Sequence, residues 1–187
     1  MSRDPARGDL LIASPQLVDP NFRRSVVLIC DHGGTGSLGL VVNRPMDVTL
    51  GKVIEPLGDH PVGEQRVYQG GPVESGRLLG IRRGEHESER AEDLGGGLFL
   101  LTDLQYSLDR IAEGAIDGSD YRFFLGYAGW GEGQLAGELK EEAWIVARAT
   151  ADLAFEVPVA DRWAESLRRL GGRFELWAQM PVDPDWN

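Results

Sequence analysis

The stretch Gly126-Tyr127-Ala128-Gly129-Trp130-Gly131-Glu132-Gly133-Gln134-Leu135 directly follows the apolar run Phe123-Phe124-Leu125, and it constrains this chain more than any other. Four glycines in eight residues let the backbone take positive φ and approach another surface closely, which an ordinary connection seldom requires. The pattern predicts a strand that ends in a turn almost bare of side chains, from which Trp130 and Gln134 project. Such a turn serves packing or binding.

A chain of 187 residues is long enough for one domain, burying roughly 70% of its unfolded surface. With 42% hydrophobic and 26% charged residues, its composition is that of a soluble globular protein with a packed core. One domain over 1–187 is expected, with a core of about 8–180 and a tail at 181–187. The net charge of −11 argues against a surface built for phosphate backbones, which needs a clustered positive footprint. The excess is uneven: ten basic residues face nine acidic ones in 1–83, and nine face 21 in 84–187. A solvated acidic face is the simplest account. Cys30 is the single cysteine and excludes an internal disulfide; its run Ser25-Val26-Val27-Leu28-Ile29-Cys30 reads as a buried strand, which fits a reducing compartment. Leu10-Leu11-Ile12-Ala13 is too short for a signal peptide, and no later run approaches a membrane span, so the cytoplasm is expected.

Leu10 to Ala13 reads as a first strand, followed by Asp19-Pro20 capping a short turn over Asn21 to Arg24. Val26 to Cys30 and Leu38 to Asn43 form a hairpin around the polar Asp31 to Ser37. Thr49 caps a short helix carrying Val53 and Ile54. Arg66 to Gln69 and Leu78 to Arg82 are strands. Gly84 to Asp93 reads as a charged loop with nothing to bury, the most protease-sensitive internal segment. Leu98 to Leu101 is a strand, after which Thr102 caps a helix with Leu104, Leu108, Ile111 and Ala112 on one face. Tyr121 to Leu125 and Ala143 to Ala147 are strands flanking a helix at Gln134 to Lys140. A last helix spans about Ala160 to Leu170 and ends at Gly171-Gly172, before a strand at Phe174 to Ala178. Strands arriving in hairpins rather than alternating with long helices point to α+β.

Several motifs fail on context. Gly34-Thr35-Gly36-Ser37-Leu38-Gly39 matches a dinucleotide loop, but Leu40-Val41-Val42-Asn43-Arg44-Pro45 continues as a strand where a helix must open. Cys30 and His32 share a strand face, yet two ligands are not a metal site, and His60 and His86 lack partners at ligand spacing; no metal or cofactor is expected. Ser25, near Arg23 and Arg24, is the nearest approach to a nucleophile, but it reads better as a strand-start residue. The last helix carries Arg162, Arg168 and Arg169 but also Asp161 and Glu165, unlike a DNA recognition helix.

Taken in order, Leu-Ile-Ala-Ser-Pro (11–15), Asp19-Pro20-Asn21-Phe22-Arg23-Arg24-Ser25-Val26-Val27, Gly39 to Pro45, Gly70-Gly71-Pro72-Val73, Gly126 to Trp130, Gly133-Gln134-Leu135 and Trp144 resemble the YqgE/AlgH family of bacterial proteins over nearly the whole chain. The resemblance implies an α+β single domain with a bifurcated, largely antiparallel, partly barrel-like sheet surrounded by short helices. It implies no established chemistry; the family often carries a transcriptional-regulator label. Two departures stand out: Gly80, where many members have histidine, and Ala136-Gly137, where many have acidic or larger residues.

The distinctive residues are turn glycines, amides and aromatics, a set suited to recognition. The expected function is therefore that of a non-enzymatic ligand- or partner-binding protein with a regulatory role. An enzyme acting on a small molecule and a direct DNA-binding regulator are the alternatives. The candidate site brings Asn43, Arg44, Gly70, Gly71, Trp130 and Gln134 into one cleft: Arg44 as a fixed cation, the amides as donors and acceptors, the glycines for close approach, Trp130 as an apolar wall. The ligand or partner is an unspecified small molecule or protein.

Overall fold

The apolar runs near the N-terminus are continuous because their strands are covered on both faces. Leu10 and Ile12 of β1 (Asp9–Ala13) join Val26, Leu28 and Cys30 of β2 (Val26–Gly33) in one core, while Leu11, Ala13, Val27 and Ile29 join a second core on the opposite face. The computed structural model describes residues 3–85 and 90–181. The chain continues through β3 (Gly36–Val41), β4 (Pro45–Thr49), α1 (Leu50–Val53), β5 (Arg66–Gln69), β6 (Val73–Arg83), β7 (Ala91–Gly95), β8 (Leu98–Leu101) and α2 (Leu104–Ala112). It finishes with β9 (Tyr121–Gly131), α3 (Gln134–Lys140), β10 (Trp144–Arg148), α4 (Ala151–Phe155), α5 (Arg162–Leu170) and α6 (Arg173–Ala178).

The strands form one curled, half-barrel sheet in the order β10-β1-β2-β3-β9-β6-β8-β7, and a branch places β4 beside β5 and β5 parallel to β9. All other pairings are antiparallel. This is the α+β, bifurcated architecture expected from the family resemblance. Helices α4 to α6 cover the first face through Leu153, Phe155, Trp163 and Leu167. Trp130, Leu135 and Trp144 cover the second. A third core lies around Leu50, Leu57, Val67, Leu108, Ile111 and Phe123.

The largest correction concerns β9. The strand does not stop at Leu125; it runs through the glycines to Gly131. Residues 121–125 pair with β6, and residues 128–131 pair with β3. Gly126 sits between these halves at φ 72, where a Cβ would lie 2.6 Å from the Gly71 carbonyl oxygen. Its left-handed conformation bends the strand from one half of the sheet to the other, as a bulge does.

Smaller corrections have similar causes. The hairpin is tighter than expected, since β2 and β3 pair as far as Gly33 and Gly36. Asp103, not Thr102, caps α2, its carboxylate accepting from the Tyr106 amide at 3.0 Å. Residues 91–93 of the charged segment belong to β7 and pair with β8, while 86–89 and, of the tail, 182–187 lie outside the described residues. Phe174 to Ala178 is helix, not strand: Phe174, Trp177 and Ala178 fall at helical spacing against the first core. Burial in tertiary contacts, rather than local propensity, decides these segments.

Candidate functional site

The polar side chains among the six residues expected in one cleft are engaged in hydrogen bonds within the protein. Asn43 bridges two strands' ends: its Oδ1 accepts from the Val26 amide at 2.9 Å and its Nδ2 donates to the Arg24 carbonyl at 2.8 Å. Arg44 donates to the carbonyls of Pro20 (2.9 Å) and Arg23 (3.0 Å), and burial lowers its pKa, with Asp19 opposing. Together they hold the turn at 19–24, in which Asp19 accepts from the Asn21 amide at 2.7 Å. Two motifs distant in sequence are thus the two sides of one hydrogen-bonded joint.

Gly70 and Gly71 lie beside that joint. The Val41 amide donates to the Gly70 carbonyl, and the Gln69 amide to the Arg44 carbonyl. A Cβ on Gly70 would stand 2.2 Å from the Gly126 oxygen, and one on Gly71 2.1 Å from the Tyr127 carbonyl carbon. These glycines let β9 approach closely. Gly80 is closely packed as well: a Cβ there would stand 2.7 Å from Leu101 Cδ1, so a side chain at this position would require Leu101 to shift.

Trp130 is 5% exposed and belongs to the second core. Its ring stacks on Phe22 of the 19–24 turn at 6.1 Å and meets Trp144 edge-on at 5.9 Å. Glu138 of α3 is the polar centre of this cluster. Its Oε2 accepts from both indole N–H groups, Trp130 at 2.9 Å and Trp144 at 2.7 Å, and its Oε1 accepts from Gln134 Nε2 at 2.9 Å. Gln134 in turn accepts from the Gly131 amide at 3.1 Å, which fixes the start of α3. Phe22 therefore links Trp130 to the turn at 19–24 that Asn43 and Arg44 hold, and none of the six expected residues lines the cavities beside β10 or between β5 and β9.

The nucleophile candidates are not activated. Cys30 is fully buried, and desolvation pushes its thiol up to about 12, well above the range in which a thiolate forms at neutral pH. Ser25 is fully buried with no hydrogen-bond partner for its hydroxyl among the described residues, so no base stands ready to deprotonate it. Among the described residues no group of three or more His, Cys, Asp or Glu is placed to hold a metal ion.

A concavity runs along β10. This strand ends the sheet and pairs only with β1 among the described strands, so its outer edge offers unpaired backbone donors and acceptors. A cavity of about 650 Å³ lies beside it, with Trp144, Ile145, Phe174 and Trp177 as apolar walls and Arg3, Lys140 and Arg173 at its margin. A second cavity of about 350 Å³ continues along Ala147 and Arg148 and shares Leu170 with the first. Glu142 is the one carboxylate in either lining, 4.0 Å from Arg173. Sequence reading missed this groove because it placed residues 174–178 in a strand. The signal that could have found it is the three-residue spacing of Phe174 and Trp177 directly after a double glycine.

Similarity to known proteins runs along most of the chain. The AlgH-like family profile matches residues 10–175. A UPF0301 protein of Xanthomonas oryzae pv. oryzae is 41% identical over 174 residues, covering 89% of this chain and 90% of that protein. One from Chlorobium limicola is 36% identical over 180 residues, covering 96% and 95%. Among solved structures, the crystal structure of protein DIP2367 from Corynebacterium diphtheriae superposes with a TM-score of 0.81 at 26% identity, covering 96% and 95%. The solution structure of the AlgH protein from Pseudomonas aeruginosa does so with a TM-score of 0.73 at 30% identity, covering 97% and 98%. This chain belongs to the AlgH-like family.

Proposed function

We propose that this chain is a non-enzymatic binding protein with a regulatory role in the cytoplasm, and that it captures a protein partner as an extended acidic segment along the free edge of β10. The observation that carries this reading is the coincidence of an unpaired strand edge with an apolar groove rimmed by basic side chains. Backbone pairing to the edge would supply affinity and the groove would select alternate side chains, the mode of strand addition. The rim stands out in a protein of net charge −11. An acidic partner fits it; a second copy of this chain, related by a two-fold axis, would set the basic rim against itself.

The alternatives have less support. Catalysis would need an activated group, and Cys30 and Ser25 are both shut into the core. Direct DNA reading by α5 would need free cations, whereas Arg162 is 3% exposed and Arg168 and Arg169 pair with Glu165. No helix among the described residues is long and apolar enough to cross a membrane.

Selection of displayed random peptides on the wild-type protein tests the proposal. Selected sequences should be acidic with alternating apolar residues, should shift the amide resonances of Trp144 to Arg148, and should lose at least tenfold in affinity to a Lys140→Glu, Arg173→Glu double variant. Peptides of no common charge, or shifts confined to other strands, would overturn it.

A further inference from the structure

At the branch of the sheet, where β5 lies beside β9, two arginines, Arg66 and Arg122, line a cavity whose lining holds no carboxylate. Gln65, Arg66, Tyr68, Ser119 and Arg122 line a cavity of about 260 Å³. Gln65 Nε2 donates to the Gly118 carbonyl at 2.8 Å, the Ser119 hydroxyl is held by Asp117, and no acidic side chain shares the lining itself. Arg122 spends its hydrogen bonds on carbonyls, those of Tyr121 (2.8 Å) and Ser119 (3.0 Å), while its guanidinium lies 4.5 Å above the Phe155 ring. Behind Tyr68, the guanidinium of Arg162 lies 5.6 Å from the ring centroid and binds the carbonyls of Val42 and Val157. Neither arginine has a carboxylate within 4.0 Å among the described residues. The nearby acids are engaged elsewhere: Asp120 and Glu156 both pair with Arg83, at 2.8 and 3.1 Å.

This arrangement is unfavourable for the protein alone. Burial lowers the pKa of Arg122, and the neighbouring Arg162 and Arg83 add to that, with the Tyr68 hydroxyl opposing. Arg66 adds a third cation, and its contact with Asp47 is long, at 3.8 Å, between two exposed side chains. Such a pair contributes little. A lining that holds two arginines and no carboxylate is complementary to a multiply charged oxyanion, which guanidinium forks bind through paired hydrogen bonds.

We propose that the cavity walled by Gln65, Arg66, Tyr68, Ser119 and Arg122 binds a phosphate group, either inorganic phosphate or the phosphoryl end of a small metabolite. A phosphate dianion matches the two lining guanidiniums and the third behind Tyr68 better than a single carboxylate does. The volume lies below the roughly 300–1,000 Å³ of pockets that enclose drug-sized ligands. The site therefore takes the phosphate and a short body, and a larger group such as a nucleobase would project into solvent. This site is independent of the β10 groove, and either proposal can fail without the other.

The test is amide-resolved titration of the full chain with inorganic phosphate at constant ionic strength, with parallel arms using glycerol 3-phosphate and adenosine monophosphate. Saturable shifts confined to residues 65–68 and 118–122 are expected, with a Kd of about 1 mM or tighter. Tighter binding of glycerol 3-phosphate than of phosphate would identify a metabolite site, and equal binding a free-phosphate site. Arg66→Glu, an exposed change that leaves the buried arginines in place, should weaken binding at least tenfold. Lys52→Glu should leave it unchanged. Linear, unsaturated shifts, saturation mapped elsewhere, or equal losses in both variants would overturn the proposal.

Discussion

Glu138→Ala is the perturbation that most directly tests how the glycine-rich strand is held. Two indole N–H groups, on Trp130 and Trp144, converge on its Oε2 at 2.9 and 2.7 Å, and those residues are 5% and 3% exposed. Hydrogen bonds to a charged acceptor contribute about 1.5–3 kcal/mol each, and a buried donor left unpaired keeps its desolvation cost. The third bond, from exposed Gln134, adds little, and alanine's helix propensity returns only a few tenths of a kcal/mol. Because Glu138 is only half-buried, water can reach part of the site, and the lower end applies: a loss of about 3 kcal/mol for the pair. With a urea m-value of about 2 kcal/mol/M, the unfolding midpoint should fall by about 1.5 M. Glu138→Gln keeps an acceptor oxygen without the charge and should lose about 1 kcal/mol. Urea titration followed by tryptophan fluorescence gives both values. Midpoints for both variants within error of wild type would refute the assignment of Glu138 as the cluster's anchor, and so would equal losses in the two.

Gly126→Ala should destabilise by at least about 2 kcal/mol in the same assay, since alanine meets a left-handed backbone penalty and a Cβ 2.6 Å from the Gly71 oxygen; a neutral substitution would remove the bulge from the account of β9. Cys30 should react with a thiol reagent only as fast as the protein unfolds, because burial raises its thiol to about 12; rapid labelling of the folded chain would reopen a nucleophilic role. Asp152 is held at about 2, chiefly by its hydrogen bond from Arg169, so its stabilisation is present above the unfolded carboxyl's pKa near 3.9 and fades as pH falls towards 2. As the pair is largely solvated, Asp152→Asn should cost only about 0.5 kcal/mol at pH 7 and nothing below pH 2; a difference unchanged with pH would show that the ion pair is not its source.

By itself the sequence determined the α+β class, the family, and most elements whose signal is local. The run at 26–30 could only be a strand buried on both faces, and Leu104, Leu108 and Ile111 could only be one face of a helix, because the periods of side-chain burial are set by backbone geometry. The position of Asn43, Arg44, Gly70 and Gly71 at strand ends was legible as well, since polar residues and glycines punctuate strands. Only the tertiary structure decided what those residues touch. Asn43 and Arg44 bind carbonyls of a turn some twenty residues earlier, and no local pattern encodes which carbonyls a side chain will reach. The glycines after Leu125 look locally like a turn; β3 and β6, distant in sequence, supply the hydrogen bonds that keep them in a strand. The groove along β10 and the cationic cavity at Arg122 arise in the same way, from side chains brought together by long-range pairing, where burial and missing carboxylates become visible only once the chain is folded.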